Sequence, residues 1–275
     1  MRRSLAQTIG IYLLCIPVAL FFLGPIVWFA ALALRPAGAA FPDPPSLVFK
    51  PTLEILSYIF IDPGSNARQL LNSIIISTGA ALLSLPFSIS AAYALSRYRL
   101  RAKKFIMLWY LGILMAPPIV FLIPYFILMV KIGWAGTYQG VIVVLQTVTL
   151  PFNIWLLKSF FDDVPPELEE AALVDGAGWW QSLVRITLPL AVPGIVVTGM
   201  FAFVFSWNNV VFPLVLGLRT AKTLPAGTLD YFGTSGIVWN QMGATAVVAM
   251  IPPMIIFLVL GRYIVRGLTF GAVKG

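Results

Sequence analysis

Six apolar stretches dominate the chain, and each has the roughly 20 residues that an α-helix needs to cross a bilayer. They predict spans at about 9–34, 70–95, 105–130, 138–161, 190–218 and 242–265. Only 10% of the residues are charged, whereas soluble domains carry about 25%. We therefore predict an all-α integral membrane protein with a single transmembrane domain over residues 1–275.

The residue types present exclude most catalytic and metal chemistry. The chain has no histidine and one cysteine, Cys15, which makes zinc sites, Ser-His-Asp triads and internal disulfides untenable. It also has no Gly-Lys pair, so it lacks the phosphate-binding P-loop of an ATPase. We expect no enzymatic activity and no bound cofactor, so energy for any transport must come from a partner.

Basic residues orient the predicted spans. If both termini lie on one side, twelve of the 18 Lys and Arg residues fall on that side and six on the other. The positive-inside rule then places both termini in the cytoplasm. The net charge of +8 would also suit nucleic acid, but the positive residues flank apolar runs, which favours anionic membrane lipid over nucleic acid as their partner.

The N-terminus has a second interpretation. Arg2-Arg3, an apolar run and Ala31-Leu32-Ala33 resemble a cleavable signal peptide. The run is longer than the 7–15 residues typical of such peptides, and its removal would leave an odd number of spans. We expect an uncleaved anchor, followed by a proline-rich external loop with a short surface helix near Thr52–Phe60.

Polar residues within the spans have two interpretations. They either form hydrogen bonds between helices or line a passage for a hydroxyl-rich solute. The candidates for a lining role are Asn72, Gln146, Asn153, Trp207, Asn208 and Asn209. No Asp or Glu lies inside a span, which argues against an ion-coupled secondary transporter, although backbone carbonyls can bind sodium and keep that alternative open.

Proline pairs near the middle of two spans leave a similar choice. Pro117-Pro118 and Pro252-Pro253 each remove backbone hydrogen bonds. Either they break the helix around a pathway or they produce static kinks.

A loop predicted at 162–189 concentrates the acidic residues. No Asp or Glu occurs from 63 to 161, and then six occur between Asp162 and Asp175. Pro165-Pro166 predicts a helix start, and Gly176 and Gly178 predict its end. A second helix is expected from Trp179 to Leu188-Pro189. Spacing alone leaves two possibilities, an amphipathic loop on the membrane surface or a finger that enters a partner's groove.

A resemblance to a known family favours the second possibility. The fixed positions of the "EAA" signature of ABC-importer permeases are matched by Glu170, Ala171, Ala172, Gly176, Ile186, Leu188 and Pro189, and Asp175 fits its usual wording. The C-terminal residues 266–275 resemble the end of the carbohydrate branch, the maltose-permease-like subunits. The similarity covers essentially the whole chain.

The resemblance implies a type I ABC importer permease in a bacterial inner membrane. The 162–189 loop would be the coupling helix that docks in a cleft of a cytoplasmic ATPase subunit, and two copies of that subunit would bind ATP and magnesium. A homologous second permease and a periplasmic or lipid-anchored solute-binding protein would complete the assembly. The tail residues Val273, Lys274 and Gly275 would reach the ATPase pair.

Overall fold

The computed structural model describes residues 5–36, 48–61, 66–233 and 236–270. Within these ranges, four helices include segments long and apolar enough to cross a membrane. They are α1 (Leu5–Ala33), α3 (Asn66–Arg97), α6 (Tyr138–Asp162) and α13 (Trp239–Phe270). The short helix α2 (Glu54–Ile61) lies within two residues, at each end, of the surface helix expected from the sequence.

Two further predicted spans are bent pairs of helices. The helices α4 (Lys103–Met115) and α5 (Pro118–Lys131) meet at 90°. The second pair comprises the segment Trp179–Leu190 and α10 (Val192–Asn208), which meet at 77°. Counting each pair as one span gives six, the number expected from the sequence, and this count stays a prediction.

The two proline pairs have opposite effects on their helices. Ala116 is extended at φ −71° and ψ 130°, and Pro117 is extended as well, so the chain turns sharply before Pro118 starts α5. Pro252 and Pro253, in contrast, lie inside the continuous helix α13. The first pair therefore breaks its helix and the second does not, and a pathway at the first pair stays a prediction.

The remaining elements are short. Between α6 and α10 lie α7 (Pro166–Val174), α8 (Trp179–Ser182), a π-helical segment (Leu183–Thr187) and α9 (Leu188–Leu190). After α10 come α11 (Val211–Leu216), α12 (Leu224–Gly227), a 3₁₀ turn (Thr228–Tyr231) and a hairpin of β1 (Phe232–Gly233) with β2 (Gly236–Ile237).

The chain divides into two compact units. One comprises residues 1–68 and 228–251. Its described core packs Ala33 against Ile55, Ile59 and Ala244. The apolar side chains of α1 from Ile11 to Trp28 are largely exposed, as expected where a helix faces lipid or another subunit.

The second unit comprises residues 69–227 and 252–275. One core cluster gathers around Ile76, Val141, Leu145 and Phe212. Another places Tyr93, Leu157, Phe161 and Leu183 together, so α3, α6 and the π-helical segment share one core. This second cluster supports the loop that carries the acidic residues.

Candidate functional site

Helix α7 begins and ends where its sequence dictates. Pro165 and Pro166 occupy the first positions, where a missing N–H costs nothing. At the other end Gly176 has φ +88°, the Ala177 N–H donates to the Ala172 carbonyl at 2.9 Å, and the Gly176 N–H donates to the Leu173 carbonyl at 3.1 Å. These two bonds form a Schellman motif, which requires a left-handed residue at its C-terminal corner.

The second corner glycine has a different role. Gly178 is extended at φ −79° and ψ 164°, and its N–H is accepted by the Gln181 side-chain oxygen at 3.1 Å. Of these two corner glycines, only Gly176 therefore needs the conformational freedom of glycine. The helix after this corner continues through the π-helical segment to Leu190, one residue beyond the predicted end at Leu188-Pro189.

The inner side of α7 is held by Glu169, which the sequence did not single out. This carboxylate is 2% exposed and accepts three hydrogen bonds. Its Oε1 accepts from the Arg97 Nε at 2.7 Å and the Thr187 hydroxyl at 2.5 Å, while Oε2 accepts from the Tyr93 hydroxyl at 2.7 Å. We call Tyr93, Arg97, Glu169 and Thr187 the Glu169 cluster.

Arg97 extends this cluster to the end of α6. Its Nη1 donates to the Phe161 carbonyl at 2.9 Å and its Nη2 to the Val164 carbonyl at 3.0 Å. Nη1 also lies 3.0 Å from the Ser96 hydroxyl oxygen. A planar guanidinium with donors on several edges suits this set of acceptors, and an ammonium would not reach them together. One side chain thus joins α3, the C-terminus of α6 and α7.

The cluster keeps Glu169 ionised. Burial alone would raise the pKa of Glu169, but the hydrogen bonds from Thr187, Tyr93 and Arg97, together with the guanidinium charge, outweigh it and hold the pKa below its ordinary value of 4.5. At neutral pH the Glu169 carboxylate is therefore ionised, with each oxygen accepting at least one hydrogen bond.

The opposite side of α7 is open. We define its outer face as Leu168, Glu170, Ala171 and Val174, all of which are exposed, Val174 by 88%. Apolar side chains beside an exposed carboxylate, on a helix whose other side is anchored, form a surface suited to a protein partner. Trp180, 72% exposed, extends the apolar surface past the glycine corner.

The structure separates the other predicted loop residues by exposure. Asp175, Gly176 and Pro189 are exposed, while Ala172, Ile186 and Leu188 are half-buried. Leu188 packs against the core cluster of Tyr93 and Leu157, which gives it a structural contact. The tail residues Val273, Lys274 and Gly275 lie outside the described residues.

Several candidate lining residues bond within the protein. Asn72 is 1% exposed; its amide donates to the carbonyls of Thr220 at 3.0 Å and Lys222 at 2.8 Å, and accepts from the Tyr138 hydroxyl. Asn153 is fully buried and donates to the Ser84 hydroxyl at 2.7 Å. For these two amides the contacts favour the structural interpretation.

The other four candidates differ in exposure. The Gln146 amide donates to the carbonyls of residues 80 and 142. Trp207 is 1% exposed and stacks on Phe203, with ring centroids 5.5 Å apart. Asn209 accepts from the Phe212 N–H, whereas Asn208 is exposed. The lining role stays a prediction, and Asn208 is the candidate with the most accessible side chain.

A family comparison places this geometry in context. Residues 84–270, more than half of the chain, match the model described as binding-protein-dependent transport system inner membrane component. The chain belongs to this family. This transport-component family accounts for the apolar helices, and the chain is accordingly a multi-pass membrane protein.

Relatives of this inner membrane component span nearly the whole chain. A probable ABC transporter permease of Sinorhizobium fredii is 32% identical over 94% of this chain and 92% of its own length. The trehalose/maltose transport system permease MalG of Thermococcus litoralis is 34% identical over 100% of both chains. The recognition of an ABC-importer permease from its loop and tail is confirmed.

A solved structure supports the fold. A chain in the crystal structure of a bacterial ABC transporter involved in the import of alginate matches with a TM-score of 0.74 and 22% identity, covering 96% of this chain and 99% of that one. The predicted all-α, type I importer permease fold is confirmed for this inner membrane component.

Proposed function

We propose that this chain is the permease subunit of an ATP-driven importer that takes up a sugar or a related polyol. Its family supports import that depends on a binding protein. A relative of matching length whose name specifies trehalose and maltose supports the carbohydrate class.

The observation that carries the coupling role is the two-sided construction of α7. Its inner side is fixed to α3 and α6 through the Glu169 cluster, while its outer face is exposed. A helix that is anchored on one side and open on the other transmits movement of whatever binds its outer face. We propose that a cytoplasmic ATPase binds there, with Glu170 meeting a basic or hydrogen-bond-donating group.

The assembly follows from this role. Two ATPase subunits, each binding ATP and magnesium, would close and pull this permease and a homologous partner from inward- to outward-facing. A solute-binding protein would deliver the carbohydrate from the opposite side. Both termini would lie on the ATPase side, as the distribution of basic residues predicts.

The glycine corner provides the test of coupling. We expect Gly176→Val to insert normally but to abolish ATP-driven uptake, because valine strongly disfavours φ +88°. Gly178→Val is the matched control: it is equally free of neighbours within 4 Å, but its backbone conformation suits any residue. Uptake is measured in proteoliposomes with the ATPase, the partner permease and the binding protein. Normal uptake by Gly176→Val would defeat the coupling role.

The partner and the solute are tested separately. A cysteine at Ala171, on the outer face, should crosslink to the ATPase, and crosslinks only to lipid or to other subunits would contradict the docking proposal. For the solute, thermal-shift screening of the cognate binding protein against sugars and polyols identifies the ligand, followed by uptake of the labelled compound. Stabilisation by ions or amino acids alone would contradict the carbohydrate class.

A further inference from the structure

The Arg97–Glu169 pair is unusual among the ion pairs that the described residues form. Its side chains are 9% and 3% exposed, and the partners are 72 residues apart in the chain. The other described pair, Lys158 with Asp162, lies within one helix turn, and Asp162 is 41% exposed. The first ion pair thus joins distant elements from inside the protein, whereas the second ion pair joins two residues of the same helix.

Stability alone does not explain a buried pair at this position. Removing two charges from water is expensive, and well-packed apolar residues of similar volume usually stabilise a core as well or better. The three hydrogen bonds to the Glu169 carboxylate instead restrict the rotation of α7 about its axis. The two bonds from Arg97 to carbonyls hold the guanidinium itself in place.

The adjacent carboxylates Glu169 and Glu170 face opposite surroundings on α7. Glu169 points inward to Arg97, while Glu170, about 100° further around the helix, is exposed on the outer face. Any slip in the rotation of α7 would therefore turn the outer face away from its partner. Thr187 ties the second half of the loop to the same carboxylate.

We propose that Arg97 and Glu169 are positioning residues for coupling: they form the joint through which force on α7 passes to α3 and α6. This inference rests on the proposed function, since it assumes that a partner moves the outer face. The joint determines how much solute is transported for each ATP hydrolysed. It does not contribute to binding of the partner, which takes place on the outer face.

The test compares uptake with ATP hydrolysis in the reconstituted complete transporter. Arg97→Lys keeps the charge but loses the fork, and Glu169→Gln keeps the shape but loses the charge. We expect the amount of solute transported per ATP to fall severalfold in both variants, because each loses charge-assisted hydrogen bonds that fix the rotation of α7. Lys158→Gln, in the exposed pair, should leave the ratio unchanged.

A milder pair of variants guards against misfolding. Thr187→Val removes the hydroxyl that donates to Glu169, and Thr187→Ser retains it. The ratio should fall in the valine variant and recover in the serine variant. An unchanged ratio in Thr187→Val and Glu169→Gln overturns the joint, as does a parallel fall of uptake and hydrolysis that merely follows the amount of folded protein.

The outcomes separate the joint from the proposed function. If the parent shows ATP-driven uptake and its Ala171→Cys form crosslinks to the ATPase while the variants remain fully coupled, only the joint fails. If the parent itself neither crosslinks nor couples, the proposed function fails and takes the joint with it.

Discussion

The two ends of α3 hold loops in contrasting ways. Near its start, Asn72 donates to the carbonyls of Thr220 and Lys222, and the Ser73 hydroxyl accepts from the Leu224 N–H at 2.7 Å. Near its end, Arg97 bonds a specific carboxylate on α7. The loop at 220–224 is held through its backbone groups, so these bonds do not depend on which side chains the loop carries. The second is held through one side chain, which also fixes the rotation of its helix.

The largest expected effect breaks the charged end. Arg97→Ala leaves Glu169 buried without its cation and frees the carbonyls of Phe161 and Val164. We expect the free energy of unfolding to fall by about 3–5 kcal/mol. Unfolding in detergent measures it, with Lys158→Ala, expected to cost at most about 1 kcal/mol, as the control. Equal losses for the two variants would contradict the contrast between buried and exposed pairs.

A smaller loss is expected at the neutral end. Asn72→Ala removes two hydrogen bonds to carbonyls and the acceptor of the Tyr138 hydroxyl, which should cost about 1–3 kcal/mol. The exposed Asn208→Ala serves as the control in the same unfolding measurement, with a change within about 0.5 kcal/mol. A loss as large as that of Arg97→Ala would mean that charge adds nothing to the hold on a loop.

Lowering the pH tests the same contrast by protonating Glu169 in the parent protein instead of replacing a side chain. Because the folded pKa of Glu169 lies below its ordinary value of 4.5, its contribution is complete above that value and is lost as pH falls through the folded pKa. The difference in the free energy of unfolding between the parent and Glu169→Gln should therefore become smaller below about pH 4.5. The corresponding difference between the parent and Asn72→Ala should not change with pH. Thermal unfolding from neutral pH to about pH 3 measures both. A Glu169→Gln gap that does not change with acid would rule out an ionised Glu169.

The smallest effect on stability is expected on the outer face. Glu170→Ala should change the free energy of unfolding by no more than about 0.5 kcal/mol, because the side chain is exposed. The same substitution should weaken co-purification with the ATPase. Unaltered co-purification would remove Glu170 from the proposed contact, while a large loss of stability would place it in the fold instead.

The sequence predicts the glycine corner after α7 better than the contacts of its inner side. Gly176 could be predicted because a helix C-terminus commonly needs a residue with positive φ, and the structure has φ +88° there. Glu169 and Glu170 are adjacent and chemically identical, so their opposite roles depend on Arg97, which is remote in sequence. A weak signal existed in Tyr93 and Arg97, which lie four residues apart on one helix face.

Long helices were predictable from apolar length, but their continuity was not. Pro117-Pro118 and Pro252-Pro253 are the same dipeptide, yet only the first interrupts its helix. The result depends on whether carbonyls freed one turn earlier find other donors, which is a tertiary property. Pro189 also fails to interrupt its helix. In an α-helix its ring would clash with the carbonyl of residue 185, but that residue lies in the wider π-helical turn, which leaves room for the ring.

That wider turn has a consequence for exchanging loops between transporters. A π turn contains one residue more than an α turn, so a loop one residue shorter within 183–187 closes the segment to α-helical geometry and keeps the helices on either side in the same rotation. A loop one residue longer has no such reserve and rotates the helix after the insertion by about 100°. Chimeras should therefore tolerate the loss of one position in this segment better than the gain of one.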